Sequence, residues 1–332
     1  MRYLLLILIF SITYILIGCQ KLKMNIPDIG SKLAINGMIS SDDFLSLRIT
    51  KSAYITDLPI GTGDDYSTYD LDSAEVLVYN NESCIDTLYH YDHAEPDFMD
   101  WWDVFPKSNY TSHKLKPTPG KEYRIIVNYP RLPEASSITA IPDLVKIENI
   151  DSSRITLAPG SYYDNNIGFK CKIKFSDPGN ESNFYLFRMH MYTYYDPYSG
   201  DYVPYQSEDV WFTSDDPIIE EKIDHVNGTE ALLFSDKLIN GKSYSLDVVI
   251  KGEFIGNPFV PGNYSSYTVH RKAIYFKLYS ITKEYFQYLQ TLKQYSKNYG
   301  NPLADPILVN SNVIGGYGMF SGAAVSTDSI VF

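Results

Sequence analysis

The sequence predicts a mainly β protein built as two β-sandwiches in tandem, with one amphipathic helix near the C-terminus. Three observations predict it: short runs of strand-like residues separated by turn residues along most of the chain, one isolated stretch with helical spacing, and an internal echo between the two halves. A pattern of many short strands punctuated by turns is that of a sandwich or barrel rather than of alternating strands and helices.

The strands come first. Apolar residues alternate with polar ones in Leu45-Ser-Leu-Arg-Ile49 and from Phe169 to Phe175, and period-two alternation turns one face of a strand to a core and the other to water. Ala74 to Tyr79, Tyr123 to Tyr129, Tyr185 to Tyr192 and Tyr244 to Ile250 are rich in β-branched and aromatic residues. The helix is predicted over about 282–299, where Tyr285, Tyr288, Leu289, Leu292 and Tyr295 recur every three or four residues. Ser280 or Thr282 is placed to cap it, Glu284 sits in its first turn, and Gly300 and Pro302 stop it. The echo is G-K-x-Y-x-(I/L)-x-V, in Gly120-Lys-Glu-Tyr-Arg-Ile-Ile-Val127 and again in Gly241-Lys-Ser-Tyr-Ser-Leu-Asp-Val248. In immunoglobulin/fibronectin-like sandwiches a tyrosine near the start of a late strand bonds back to upstream backbone, and Tyr123 and Tyr244 fit that role.

Composition bounds the function. The chain has 332 residues, 44% hydrophobic and 20% charged, which is globular rather than disordered. That length accommodates more than one domain. The boundaries expected are an N-terminal sandwich over 32–142 and a C-terminal sandwich with the helix over 143–332, meeting at the proline-marked segment from Ala140 to Leu144. A net charge of −12, without a Lys/Arg run, opposes nucleic acid as a partner. The three cysteines include no C-x-x-C pair, so a zinc knuckle is not expected. Cys171 lies between lysines on a strand and is expected to point into a core; spacing alone does not decide whether it pairs with Cys84.

The N-terminus says where the chain goes. Arg2, the apolar run from Leu4 to Ile17 and Gly18-Cys19 read as a cleaved signal over 1–18, since the run falls short of the roughly 20 residues that cross a bilayer as a helix. Leu16-Ile-Gly-Cys19 resembles the bacterial lipobox, which makes Cys19 the lipidated first residue of the mature protein and the membrane its anchor. Residues 19–31, interrupted by Pro27 and Gly30, read as a tether.

Two aromatic regions offer binding surfaces. The first holds Tyr89, Tyr91, Trp101, Trp102 and Phe105 among histidines and carboxylates; the second, from Tyr192 to Tyr205, holds six tyrosines, including Tyr198 and Tyr202, around a predicted hairpin tip. Rigid rings on a loop make platforms for a glycan or peptide, and neighbouring carboxylates take its hydrogen bonds; packing of the same rings onto a sheet is the alternative for both regions. His90, His93, Glu95 and Asp97 are competent metal ligands but lack the helical spacing of a zinc site, and Asp64, Asp65, Asp70 and Asp72 lack the calcium-loop pattern. No metal or cofactor is expected.

Catalytic signatures are incomplete. Gly318-Met-Phe-Ser-Gly322 has the wrong spacing for a nucleophile elbow, and Ser280-Ile-Thr-Lys283 stands without S-D-N or K-T-G. Gly315-Gly-Tyr-Gly318 lacks the Lys-Ser/Thr of a phosphate loop and is expected to make a tight bend. The expectation is a noncatalytic protein. A surface glycan or peptide hydrolase and a structural or adhesion protein of the envelope are the alternatives, and a pair of carboxylates roughly 5–9 Å apart in a cleft would favour the first.

Taken in order, the motifs resemble a family. After the lipobox come Leu33-Ala-Ile-Asn-Gly-Met-Ile39, Leu45-Ser-Leu-Arg-Ile-Thr-Lys-Ser52 and Asp72-Ser-Ala-Glu-Val-Leu-Val78, then Phe175-Ser-Asp-Pro-Gly179, Ile281-Thr-Lys-Glu-Tyr-Phe-Gln-Tyr-Leu289, Gly300-Asn-Pro302 and Asn312-Val-Ile-Gly-Gly-Tyr-Gly-Met-Phe320. This order is similar to that of the domain-of-unknown-function 4249 lipoproteins of Bacteroidetes. The resemblance implies a lipoprotein of the outer membrane, an accessory that binds substrate for, or caps, a TonB-dependent outer-membrane transporter, with no catalytic residues to carry over. Gln20-Lys-Leu-Lys-Met24 stands where surface lipoproteins of that phylum carry acidic residues, so the resemblance leaves open whether the protein faces outward or into the periplasm. Asp72-Ser-Ala, Asp86-Thr-Leu and Asp328-Ser-Ile also match the short O-glycosylation signal of that phylum.

Overall fold

A computed structural model describes residues 30–52, 69–91, 108–157, 167–196, 203–210, 212–225, 228–251, 268–298, 305 and 307–331. Lys32–Phe332 forms one compact unit. The fold is mainly β, as predicted, with one α-helix among the described residues. The strands of the first part are β1 (Leu33–Ser40), β2 (Ser46–Lys51), β3 (Glu75–Asn80), β4 (Ser83–His90), β5 (Tyr110–Thr111), β6 (Glu122–Asn128) and β7 (Ala135–Ala140). Then follow β8 (Ile147–Thr156), β9 (Ile167–Ser176), β10 (Phe184–Asp196), β11 (Val203–Asp209), β12 (Phe212–Thr213), β13 (Ile219–His225), β14 (Gly228–Ser235), β15 (Ser243–Lys251) and β16 (Thr268–Ile281). Helix α1 (Lys283–Asn298) and β17 (Tyr317–Val331) close the chain.

One long sheet runs through the molecule in the order β2-β1-β17-β16-β10-β14-β13. Its pairings are antiparallel except β1 with β17, which run parallel from Ala34 opposite Tyr317 to Ser40 opposite Ala323. Two smaller antiparallel sheets pack on it. The first, β4-β3-β6-β7, sets Val76, Val78, Ile125 and Val127 against Leu33, Ile35, Leu47, Ile49 and Phe320. The second, β8-β9-β15, is continuous with the long sheet through β12, which pairs with both β14 and β15, and it folds back to set Cys171, Ile173, Phe175, Leu246 and Val248 against Tyr185, Phe187, Phe234, Ile274 and Phe276. Helix α1 lies on the other face of the long sheet, where Tyr285, Phe286 and Leu289 meet Leu186, Leu233, Met319 and Ala323.

Local chemistry explains the elements. Along β9 the odd positions Cys171, Ile173 and Phe175 are wholly buried while the lysines between them reach outward, as alternation requires. Cys84 is exposed and Cys171 buried, and both thiols are free. Helix α1 starts after Thr282, whose Oγ1 accepts the Tyr285 N–H at 3.3 Å, so Thr282 rather than Ser280 is the cap. The buried face is Tyr285, Phe286 and Leu289, whereas Tyr295, placed on that face by the spacing, is exposed.

The two echoed turns share their glycine but not their tyrosine. Gly120 and Gly241 have φ of 73° and 70°, the left-handed region that glycine enters without a steric penalty. Tyr123 Oη accepts the Thr118 N–H at 3.0 Å, which is the upstream backbone bond expected of a tyrosine corner. Tyr244 instead donates to Asp216 at 2.6 Å. At the second turn the carboxylate of Asp177 takes over, accepting the Gly241 N–H at 2.9 Å and the hydroxyl of Tyr185.

The glycines before and within β17 are there for close approach. A Cβ on Gly318, whose φ is 104°, would stand 2.1 Å from the Ile35 carbonyl oxygen, and one on Gly322 would stand 2.2 Å from that of Ala140.

Candidate functional site

The first aromatic region is rooted on β4 and β5. Its flanking residues are joined, since the Tyr91 N–H donates to the Asn109 carbonyl at 3.1 Å. Asn109 is buried and held on both sides: its Oδ1 accepts the Ile49 N–H at 2.7 Å and its Nδ2 donates to the Ile49 carbonyl at 2.9 Å. Next to it the buried Tyr110 accepts the Ala74 N–H at 2.8 Å and takes the edge of the His90 ring at 5.4 Å. Burial is the main cause that pushes the Tyr110 hydroxyl above its ordinary value.

A second lock lies one turn further on. The Ser112 hydroxyl donates to the buried carboxylate of Asp86 and accepts the N–H groups of Lys114 at 3.1 Å and Leu115 at 2.7 Å. The ammonium of Lys114 pairs with the same carboxylate at 3.3 Å. A site on rigid elements holds its geometry better than one on loops alone, and this root meets that condition.

Tyr89 projects outward from the root, 55% exposed, and stacks on His113 with centroids 5.1 Å apart and planes 26° from parallel. Stacked face to face, the two exposed rings brace each other and leave the outer faces and edges of the pair to solvent. Of the other residues expected there, Tyr91 is at the joined root, while Trp101, Trp102 and Phe105 lie outside the described residues. In the second region β10 and β11 pair antiparallel with Tyr195 opposite Val203, so Tyr192 to Tyr205 spans a hairpin as read. Tyr198 and Tyr202 lie outside the described residues, as does Cys19. Tyr192 packs edge-on against Tyr275 at 5.0 Å.

A charged row was not foreseen. On β10 Arg188 is buried and paired with the buried Glu230 of β14. Its neighbour on β16 in the register, Lys277, reaches Asp42 after β1 at 3.2 Å. The signal was present in Leu186-Phe-Arg188-Met-His190, where polar residues share one face of an apolar strand. With both signs represented and each cation paired, the row is a structural seam: removing one partner of such a buried pair costs about 3–5 kcal/mol. Asp70, weighed as a calcium ligand, pairs with Arg48 at 3.1 Å. Among the described residues no three His, Cys, Asp or Glu side chains come together as a metal site. Of the hydroxyls in the three glycosylation-like motifs, those of Ser73 and Ser329 belong to exposed residues and that of Thr87 to a half-buried one.

Fold and site together define a mainly β protein whose long sheet carries two cores and a helix, with an exposed ring pair on a locked root. The chain belongs to the family described as Domain of unknown function (DUF4249), whose model matches residues 20–329. No curated protein and no solved structure matches it.

Proposed function

We propose that this is a lipid-anchored, noncatalytic outer-membrane protein that acts beside a TonB-dependent transporter, capturing a glycan or peptide for it or capping it. The observation that carries the reading is the root of the first aromatic region, where Tyr89 and His113 form an exposed stacked surface on backbone held by Asn109 and Asp86. Trp101, Trp102 and Phe105 follow Tyr89 within one short stretch of chain, and aromatic anchors of this kind dominate binding energies. The lipobox-like Leu16-Ile-Gly-Cys19 supports the anchor, through acylation of the Cys19 sulfur. The architecture is read as two sandwiches, one per core, that share the long sheet; the tyrosine corner at Tyr123 supports the first as immunoglobulin/fibronectin-like.

Affinity purification of the tagged full-length chain from detergent-solubilised envelopes of its host tests the reading. A TonB-dependent transporter is expected in near-equal amount, and Cys19→Ala is expected to abolish its recovery. Recovery of the chain alone would sink the complex. Tyr89→Ala is expected to leave the purified complex intact and to weaken retention on glycan or peptide arrays at least tenfold.

A further inference from the structure

We propose that β17 is a clasp that makes the two cores one cooperative unit. Its 15 residues serve three partners at once. Phe320 and Ala324 complete the first core, Ile330 packs against the second, and Met319, Ala323 and Val325 lie under the helix. The strand pairs parallel with β1 over its first half and antiparallel with β16 over its second, so it is the bond between the earliest strand and the latest part of the chain.

Its seat is built to receive a bare backbone. Ile35 and Ala140 carbonyls approach Gly318 and Gly322 where no Cβ fits. The side chain of Asn312 bonds both sides of the Phe320 peptide, with Oδ1 accepting its N–H at 3.0 Å and Nδ2 donating to its carbonyl at 2.7 Å. That amide satisfies a stretch of β17 that β16 does not reach. Two further bonds hold the segment between the cores to the same strands, from the Ile147 N–H to Ser326 and from the Val145 N–H to Ser280.

The first core therefore lacks Phe320 and one strand until β17, about 280 residues after β1, has joined it. Closing so long a loop is entropically costly and comes late in folding. For an exported chain, this leaves the first core open until β17 has been made; that consequence rests on the function proposed above, whereas the clasp does not.

Site-specific thiol labelling of the full chain in sub-denaturing urea tests it. One background, with Cys19→Ser and Cys84→Ser, reports the second core through Cys171. The other adds Cys171→Ala and Val78→Cys and reports the first. Phe320→Ala is expected to accelerate labelling in both backgrounds by a common factor of about a hundred or more, the size of a large-to-small core substitution. Phe320→Leu is expected to do the same by a smaller common factor, and it decides the matter if Phe320→Ala does not fold. Conversely, Leu246→Ala in the second core should accelerate labelling at position 78. Acceleration confined to position 78 with either Phe320 variant, or to Cys171 with Leu246→Ala, would overturn the clasp.

Discussion

Cys171 and Cys84 differ by environment alone. Burial among Ile173, Phe175 and Leu246 raises the Cys171 thiol to about 11, because a thiolate there would lose its water without gaining a partner. Cys84 is exposed. In a Cys19→Ser chain at pH 8, one thiol is expected to react with a disulfide reagent within minutes and the second only after unfolding in urea. Asp177 gives the pH dependence. Its carboxyl is raised from 3.8, chiefly by burial, against the opposing hydrogen bonds from Tyr185 and Gly241. The folded state thus holds this proton more tightly than the unfolded chain, and the stabilisation from that proton is full below the ordinary carboxylate range and lost as pH rises through the raised value. Urea unfolding from about pH 3.5 to 7 is expected to show this decline, and Asp177→Asn to flatten it.

Helix α1 depends on its first turn and on one face. Thr282 both caps it and meets the Ser321 hydroxyl of β17 at 3.2 Å, so the cap is also a contact with the sheet. Thr282→Ala is expected to cost about 1 kcal/mol in chemical denaturation, with the slope on denaturant unchanged. Toward its far end the hold is ionic rather than apolar: Lys293 pairs with Glu221 of β13 at 2.9 Å, and Tyr295 is exposed. Strand β9 is the opposite case. Its strict alternation is enough to choose the buried face, and any slip of one residue would exchange three lysines for the core residues.

Two cores on one continuous sheet, each completed in part by β17, imply a single unfolding event. Scanning calorimetry of the protein without its signal segment is expected to give one transition whose calorimetric and van't Hoff enthalpies agree; two separable transitions would mean that the cores unfold independently. The root shares in that cooperativity through Tyr110 and Ile49 of the first core, but the exposed ring of Tyr89 does not. Tyr89 is on the surface, so its replacement bears on binding far more than on folding.

Much of this was written locally in the chain. Period-two alternation marked the strands, three- and four-residue spacing marked the helix to within a residue at each end, and Gly120 and Tyr123 announced their turn, because each signal involves neighbours a few positions apart. Tyr89 was legible as a site candidate, but not the stacking on His113 or the lock made by Asn109, which joins residues 60 positions apart. The second tyrosine corner misled for the same reason: Asp177 and Asp216 arrive from elsewhere and take the bonds that local sequence assigned to Tyr244. The parallel pairing of the first strand with the last left no local mark except glycines whose purpose is the carbonyls they approach. Periodicity reports which face of an element is buried; which distant element buries it is set by packing and by the demand that every buried backbone group find a partner.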